Sequence, residues 1–146
     1  MRLRKVLAGS AALVGFLALT VTNSPQASAS SADCSDGKFC IWADPNYSGT
    51  FGQSQNSQAN LNGMDNRTTS FWNRTGKTVV FFNSANYYSA VSGAGNWGNA
   101  YPYCVTVLPG ASHYDLKSVD PLFNDTMSSF YIGGTCVDSP SIYTFQ

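Results

Sequence analysis

Glutamate is absent from the chain, and histidine occurs once, at His113. With those two residue types so scarce, few groups can exchange a proton near neutral pH, which leaves general acid–base catalysis poorly supplied. No G-x-S-x-G nucleophile turn is present, and His113 in "GASHYDL" has no partner at a recognisable spacing, so it is expected to be a surface residue. The cysteines show no C-x-x-C spacing, which speaks against a zinc site. Charge is also sparse: Asp, Lys and Arg together make 11% of the residues, scattered rather than clustered. Such a chain has no electrostatic footprint for nucleic acid and no basic amphipathic face for a membrane surface. Beyond residue 21 no apolar run approaches the ~18 residues that a spanning helix needs.

The one long apolar stretch lies at the N-terminus. Arg2, Arg4 and Lys5 precede apolar residues from Val6 to about Val21, and Ala27-Ser28-Ala29 supplies an A-x-A pattern. Residues 1–29 are thus read as a secretory signal peptide, cleaved before Ser30, and the protein as secreted and extracellular. Three basic residues leave with that segment, so five Lys/Arg face eight Asp in residues 30–146, a formal net of −3. This length suits one small domain with its own core. All four cysteines, Cys34, Cys40, Cys104 and Cys136, fall within it, and an even count in an exported domain reads as two disulfides. Three pairings are formally possible. The tight Asp36-Gly37 turn favours Cys34–Cys40, with Cys104–Cys136 as the second.

What the chain does have is strand chemistry. Tyr, Phe, Trp, Val and Thr recur in short runs, broken by Gly, Asn, Asp, Ser and Pro. Strands are expected at 38–43, 69–74, 78–83, 103–108, 128–133 and 141–145. The polar stretches 51–63 and 92–102 read as loops. No helical apolar period is sustained over ten residues. Many short strands with frequent turns predict an all-β sandwich or barrel of Greek keys.

Two phrases repeat. "DNRTTS" (65–70) and "NDTMSS" (124–129) share the form Asx-Asx-x-x-Ser/Thr-Ser. Upstream of each lies an aromatic hairpin, "WADPNYSG" (42–49) and "FNSANYYS" (82–89), with Trp42/Tyr47 and Phe82/Tyr87 at the same spacing. Asp44-Pro45-Asn46 is turn chemistry, and Gly49 permits a positive-φ bend where Ser89 stands in the second copy. Ser70 and Ser129 carry hydroxyls suited to tying a folded-over hairpin through its backbone.

These residues resemble the βγ-crystallin family. The resemblance implies two Greek-key motifs forming a βγ-crystallin-like sandwich, the first about 34–76, the second about 77–146 with an insertion about 90–118. Calcium-binding members carry the repeated segment twice, which makes Asp65, Asn66, Thr69, Asn124, Asp125 and Ser128 candidate calcium ligands. It also implies that Thr69 joins Asp125 in one site and Ser128 joins Asn66 in the other. The alternative is ordinary Asx and Ser/Thr turns without metal; no cofactor is otherwise required. "CSDGKFCIWADPNYSGTF" (34–51) and "SFWNRTGKTVVFFNSANY" (70–87) resemble, more particularly, the secreted bacterial inhibitors of peptidase inhibitor family I36, metalloproteinase-inhibitor type. That resemblance implies a monomeric, non-enzymatic inhibitor of an extracellular metalloprotease, with Cys104-Val105 as the reactive bond and Val105 entering the primed pocket of a thermolysin-like enzyme. The segment 95–110, bracketed by Pro102 and Pro109 and pinned by Cys104, has the ingredients of a rigid inhibitory loop. Its core "YCVTVL" also alternates as an ordinary strand. A calcium-binding structural protein without a protease target is the alternative function. Stacking of Trp97, Tyr101 and Tyr103 on sugars is a lesser idea.

Overall fold

The computed structural model describes residues 29–87, 104–121, 123–134, 136 and 143–146. Eight strands build two sheets: β1 (Phe39–Asp44), β2 (Ser48–Ser54), β3 (Ser70–Asn73), β4 (Val79–Phe82), β5 (Cys104–Val107), β6 (Ser112–His113), β7 (Ser129–Ile132) and β8 (Thr144–Phe145). One sheet has the order β2-β1-β3-β6 and the other β7-β4-β5-β8. All pairings are antiparallel except β5 with β8, which is parallel. Among the described residues no helix is long and apolar enough to cross a membrane.

The expected runs near 38–43, 69–74, 78–83, 103–108 and 128–133 all contain strands; of 141–145 only Thr144–Phe145 is a described strand. Two departures matter. Ser48–Ser54 forms β2, although its second half was expected as a loop; its Gly, Ser and Gln are drawn into register by β1, with Ile41 opposite Gly52 and Trp42 opposite Phe51. Residues 104–118, expected within an insertion, supply β5 and β6, which are integral strands of the second key. The stretch 92–102 lies outside the described residues, as do Ser89, Trp97, Tyr101 and Tyr103.

The two keys exchange their third strands. β6, from the second key, pairs with β3 of the first sheet, Phe71 opposite His113. Reciprocally, Gln58 of the first key bridges Phe130 of β7 in the other sheet. Neither key therefore closes its own sheet, so the two fold as one body. Strand alternation places Phe39, Ile41 and Phe71 of one sheet and Val79, Phe81, Val105, Val107 and Phe130 of the other in a common core. Phe39 and Phe130 meet edge to face at 4.8 Å across it. Each such ring contributes about 1.5–3 kcal/mol through burial alone. Alternate residues of β1 feed a second, smaller cluster on the outer face, where Cys34, Cys40 and Trp42 are buried under Tyr47, Phe51 and Trp72. The Cys34–Cys40 disulfide staples the chain's entry over that cluster. Arg74 closes the edge there, pairing with Asp36 and donating to the Cys34 carbonyl. Asn73, wholly buried, donates to the carbonyls of Lys77, Val107 and Leu108 and so joins the link between keys to β5.

Candidate functional site

Each aromatic hairpin folds over its sheet in the same way. Asn46 and Tyr47, and Asn86 and Tyr87, all adopt φ between 57° and 60°. Asn accommodates that conformation readily; for Tyr it is strained and must be held by bonds. The holding groups are Ser70 and Ser129. Ser70 Oγ accepts from the Tyr47 N–H at 3.2 Å and donates to the Asp44 carbonyl at 2.8 Å. Ser129 Oγ accepts from the Tyr87 N–H at 3.1 Å and donates to the Ser84 carbonyl at 2.6 Å. Trp42 lies 5.2 Å from Tyr47, edge to face, and Phe82 lies 6.1 Å from Tyr87 likewise. Gly49 takes φ 78°, and a β-carbon there would collide with the Asp44 carboxylate.

The repeated hexapeptides meet each other. Thr69 Oγ1 donates to Asp125 Oδ1 at 3.1 Å, and Ser128 Oγ donates to Asn66 Oδ1 at 3.4 Å. The backbones reciprocate: the Asn66 N–H donates to the Met127 carbonyl and the Asp125 N–H to the Thr68 carbonyl. Asn66 and Asp125 both have positive φ, 51° and 56°, which turns their side chains toward the opposite segment. Asp65 and Asn124 complete the sets, since Asn66 Nδ2 donates to Asp65 Oδ2 and Asn124 Nδ2 to Asp125 Oδ2.

All six expected calcium ligands thus form two clusters of oxygen donors. Their chemistry fits a hard cation, which prefers carboxylate, amide, hydroxyl and carbonyl oxygens. Asn124 Oδ1 is buried without a hydrogen-bond partner, an acceptor such an ion would satisfy. The fit is better at Thr69–Asp125, where a carboxylate is supplied across the pair, than at Ser128–Asn66, where the cross-supplied group is a neutral amide. Among the described residues no three His, Cys, Asp or Glu side chains converge.

Cys104 and Val105 are not displayed. They are 1% and 0% exposed, and β5 runs inside its sheet between β4 and β8. Val105 lies opposite Phe81 with its side chain in the core, and Cys104 opposite Phe82. A protease cleft takes an extended, freely approachable bond; this one would have to be stripped from β4 first. The expectation of Cys104-Val105 as a reactive bond is corrected accordingly: Cys104–Val107 is a core strand, buried throughout. Cys104 pairs with Cys136, as Cys34 does with Cys40, so all four cysteines are oxidised and the zinc reading of the thiols falls with them.

His113, expected at the surface, is partly buried in β6. Its ring stacks on Tyr114 at 5.4 Å and tilts against Phe145 at 5.3 Å, and Nδ1 accepts the Asp115 N–H at 3.2 Å. Burial holds its pKa below the ordinary histidine value, with the Asp115 carboxylate opposing in part. Tyr114 and Tyr143 extend an exposed aromatic rim beside it.

The sequence pattern of peptidase inhibitor family I36 matches residues 27–94, the whole first key and the start of the second. No curated protein matches the chain in sequence. Among solved structures, one described as "Evolution of the eye lens beta-gamma-crystallin domain fold" superposes with a TM-score of 0.52 at 13% identity, covering 70% of this chain and 91% of that one. A βγ-crystallin from an archaeon gives a TM-score of 0.47 at 14% identity, with 65% and 95% covered. One from Ciona intestinalis gives 0.46 at 18%, with 65% and 98% covered. At these identities the likeness concerns the fold. The family pattern lies over the first key, and the architecture of both keys is βγ-crystallin-like, so the chain is similar to peptidase inhibitor family I36 on a βγ-crystallin-like scaffold.

Proposed function

We propose that residues 1–29 are removed on export and that residues 30–146, as a single monomeric domain, inhibit a thermolysin-like metalloprotease outside the cell. The family match over residues 27–94 is the observation that carries this reading. The enzyme meets the rigid frame around the Cys104–Cys136 disulfide, while the Cys104-Val105 bond stays within β5. Rigidity is what an inhibitor needs there: a surface already held by a disulfide loses little further entropy on binding. The test is a titration of purified residues 30–146 against metallo-, serine and cysteine proteases. Stoichiometric slowing of the thermolysin-like enzyme is expected, weakened more by Cys104→Ser/Cys136→Ser than by Cys34→Ser/Cys40→Ser. No slowing of any enzyme in the panel would remove the proposal.

A second reading is favoured by the two reciprocal oxygen pairs: an extracellular calcium-binding structural protein. Calcium would supply a positive centre tying the two hexapeptides together. One ion would be held by Thr69 and Asp125, with Asn124, and a second by Ser128 and Asn66, with Asp65. It is separable from inhibition because calcium dependence can be measured on the melt alone.

A further inference from the structure

The two keys correspond closely around their sheets, and at the edges of β2 and β5 they differ. Ile41 faces Gly52 between β1 and β2 as Phe81 faces Val105 between β4 and β5. Gln58 bridges Phe130 as His113 pairs with Phe71. The Leu61 N–H donates to the Ser128 carbonyl as the Leu116 N–H donates to that of Thr69, and the Asn86 N–H donates to Ala59 as that of Asn46 donates to Tyr114. In the second key, the edge of β5 is covered by β8. Thr106 and Leu108 donate their N–H groups to the carbonyls of Tyr143 and Phe145. Phe145, 6% exposed, enters the core 4.9 Å from Phe71 and 5.3 Å from His113.

The matching place in the first key is a cleft of about 210 Å³ floored by Phe39, Ile41, Leu61 and Phe130 and walled by Gly52 and Gln58. Phe130 and Gln58 are the counterparts of the two residues that Phe145 touches. For scale, a ~150 Å³ apolar cavity is enough to hold benzene. Beside the cleft runs β2, the end strand of its sheet. Its sequence, Ser-Gly-Thr-Phe-Gly-Gln-Ser, carries neither the charge nor the proline that commonly protects a sheet edge. Among the described residues no charged side chain lines the cleft, and its lining includes the amide side chains of Gln58 and Asn60.

We propose that β2 is a peptide-docking edge. It accepts an uncharged extended segment of another protein, added parallel to β2, with an aromatic side chain seated in the cleft as Phe145 is seated in the second key. Gln53 and Gln55, the counterparts of Thr106 and Leu108, supply the backbone donors. A second copy of this chain is not the occupant, because its Thr144–Phe145 segment is already engaged with its own β5. Main-chain pairing provides affinity and the side-chain pocket provides selection, as in other strand-addition sites. This inference does not depend on protease inhibition.

The probe is the acetylated peptide Ser-Ile-Tyr-Thr-Phe-Gln, the sequence of the chain's own final segment, titrated into the purified protein while backbone amide shifts are followed by NMR. Shifts gathered at Gly52, Gln53, Gln58 and Met64 are expected. Binding should weaken at least about tenfold when the peptide's Phe is replaced by Ala, since a seated aromatic anchor is lost. Gly52→Val should weaken it similarly. A β-carbon at Gly52 meets Ile41 Cγ1 at 3.4 Å and Met64 Cγ at 3.6 Å, so the variant occupies the cleft with little backbone cost. Gly52→Ala serves if the valine variant fails to fold. The proposal is overturned by no shifts at millimolar peptide, or by shifts confined to Thr106–Leu108, which would mean displacement of β8. Concentration-dependent pairing of the protein through β2 without peptide, or unaltered binding in the Gly52 variants, would overturn it equally.

Discussion

Ser70→Ala isolates what holds an aromatic hairpin down. Ser70 is fully buried, and its hydroxyl both accepts from Tyr47 and donates to the Asp44 carbonyl. The substitution removes one atom, opens almost no cavity, and leaves two backbone groups without their partner. An unsatisfied buried polar group costs about 1–3 kcal/mol. Asp44 is exposed, so water takes over its carbonyl, while the Tyr47 N–H is only partly reachable. The expected loss is therefore about 2 kcal/mol, near the middle of the single-group range, or roughly 6–10 °C in Tm for a domain of this size. A second signal accompanies it. Released from Ser70, Tyr47 relaxes from its strained φ of 58° and leaves the face of Trp42, so the near-ultraviolet circular dichroism of the indole should diminish. Ser129→Ala should destabilise comparably while leaving the Trp42 signal intact, because its hairpin carries Phe82 and Tyr87. A Ser70→Ala melt within about a degree of wild type would refute the reasoning that this hydroxyl secures the strained turn.

Three further outcomes are expected. Calcium should raise Tm, by the equivalent of about 2.7 kcal/mol at a hundredfold excess over Kd, and Asp125→Ala should reduce that rise more than Asn66→Ala; a calcium-independent melt would end the second reading. Val105→Ala should cost roughly 1.5–3 kcal/mol in chemical denaturation, as a core truncation does, and an unchanged midpoint would show that the residue is displayed after all. His113 has a folded pKa below its ordinary 6.5, so the unfolded chain takes up the proton first; its contribution is complete above about pH 6.5 and is lost as pH falls. His113→Gln should flatten the decline of Tm between neutral and mildly acidic pH, and an equally steep decline in the variant would assign it to other groups.

Much of this was legible in the chain. Runs of aromatic and β-branched residues marked most strands because those side chains suit a pleated, half-buried surface. The repeated hexapeptides stand out because short oxygen-bearing side chains at fixed spacing do local work, while the cross-pairs Thr69–Asp125 and Ser128–Asn66 are implied only by the resemblance to calcium-binding crystallins. β2 escaped notice because Gly, Ser and Gln have little strand preference of their own; the register of β1 imposes it. His113 was misplaced because nothing near it in sequence reveals Phe145, which lies 5.3 Å away. The cleft beside Gly52 has no local signal either. A long enough comparison of the two keys, Gly52 against Val105 and Gln58 against His113, is the only trace of it in one dimension.

Composition and the internal repeat alone determined that this chain would be all-β and built twice over from one kind of unit, each with its own set of oxygen donors. Those properties reside in side chains and their immediate neighbours. The exchange of third strands, the burial of Cys104 and Val105, and the difference, among the described residues, between a plugged edge at β5 and an open one at β2 were decided only by tertiary structure. Each depends on which distant strand arrives alongside, and that is settled by the joint packing of both sheets around one core.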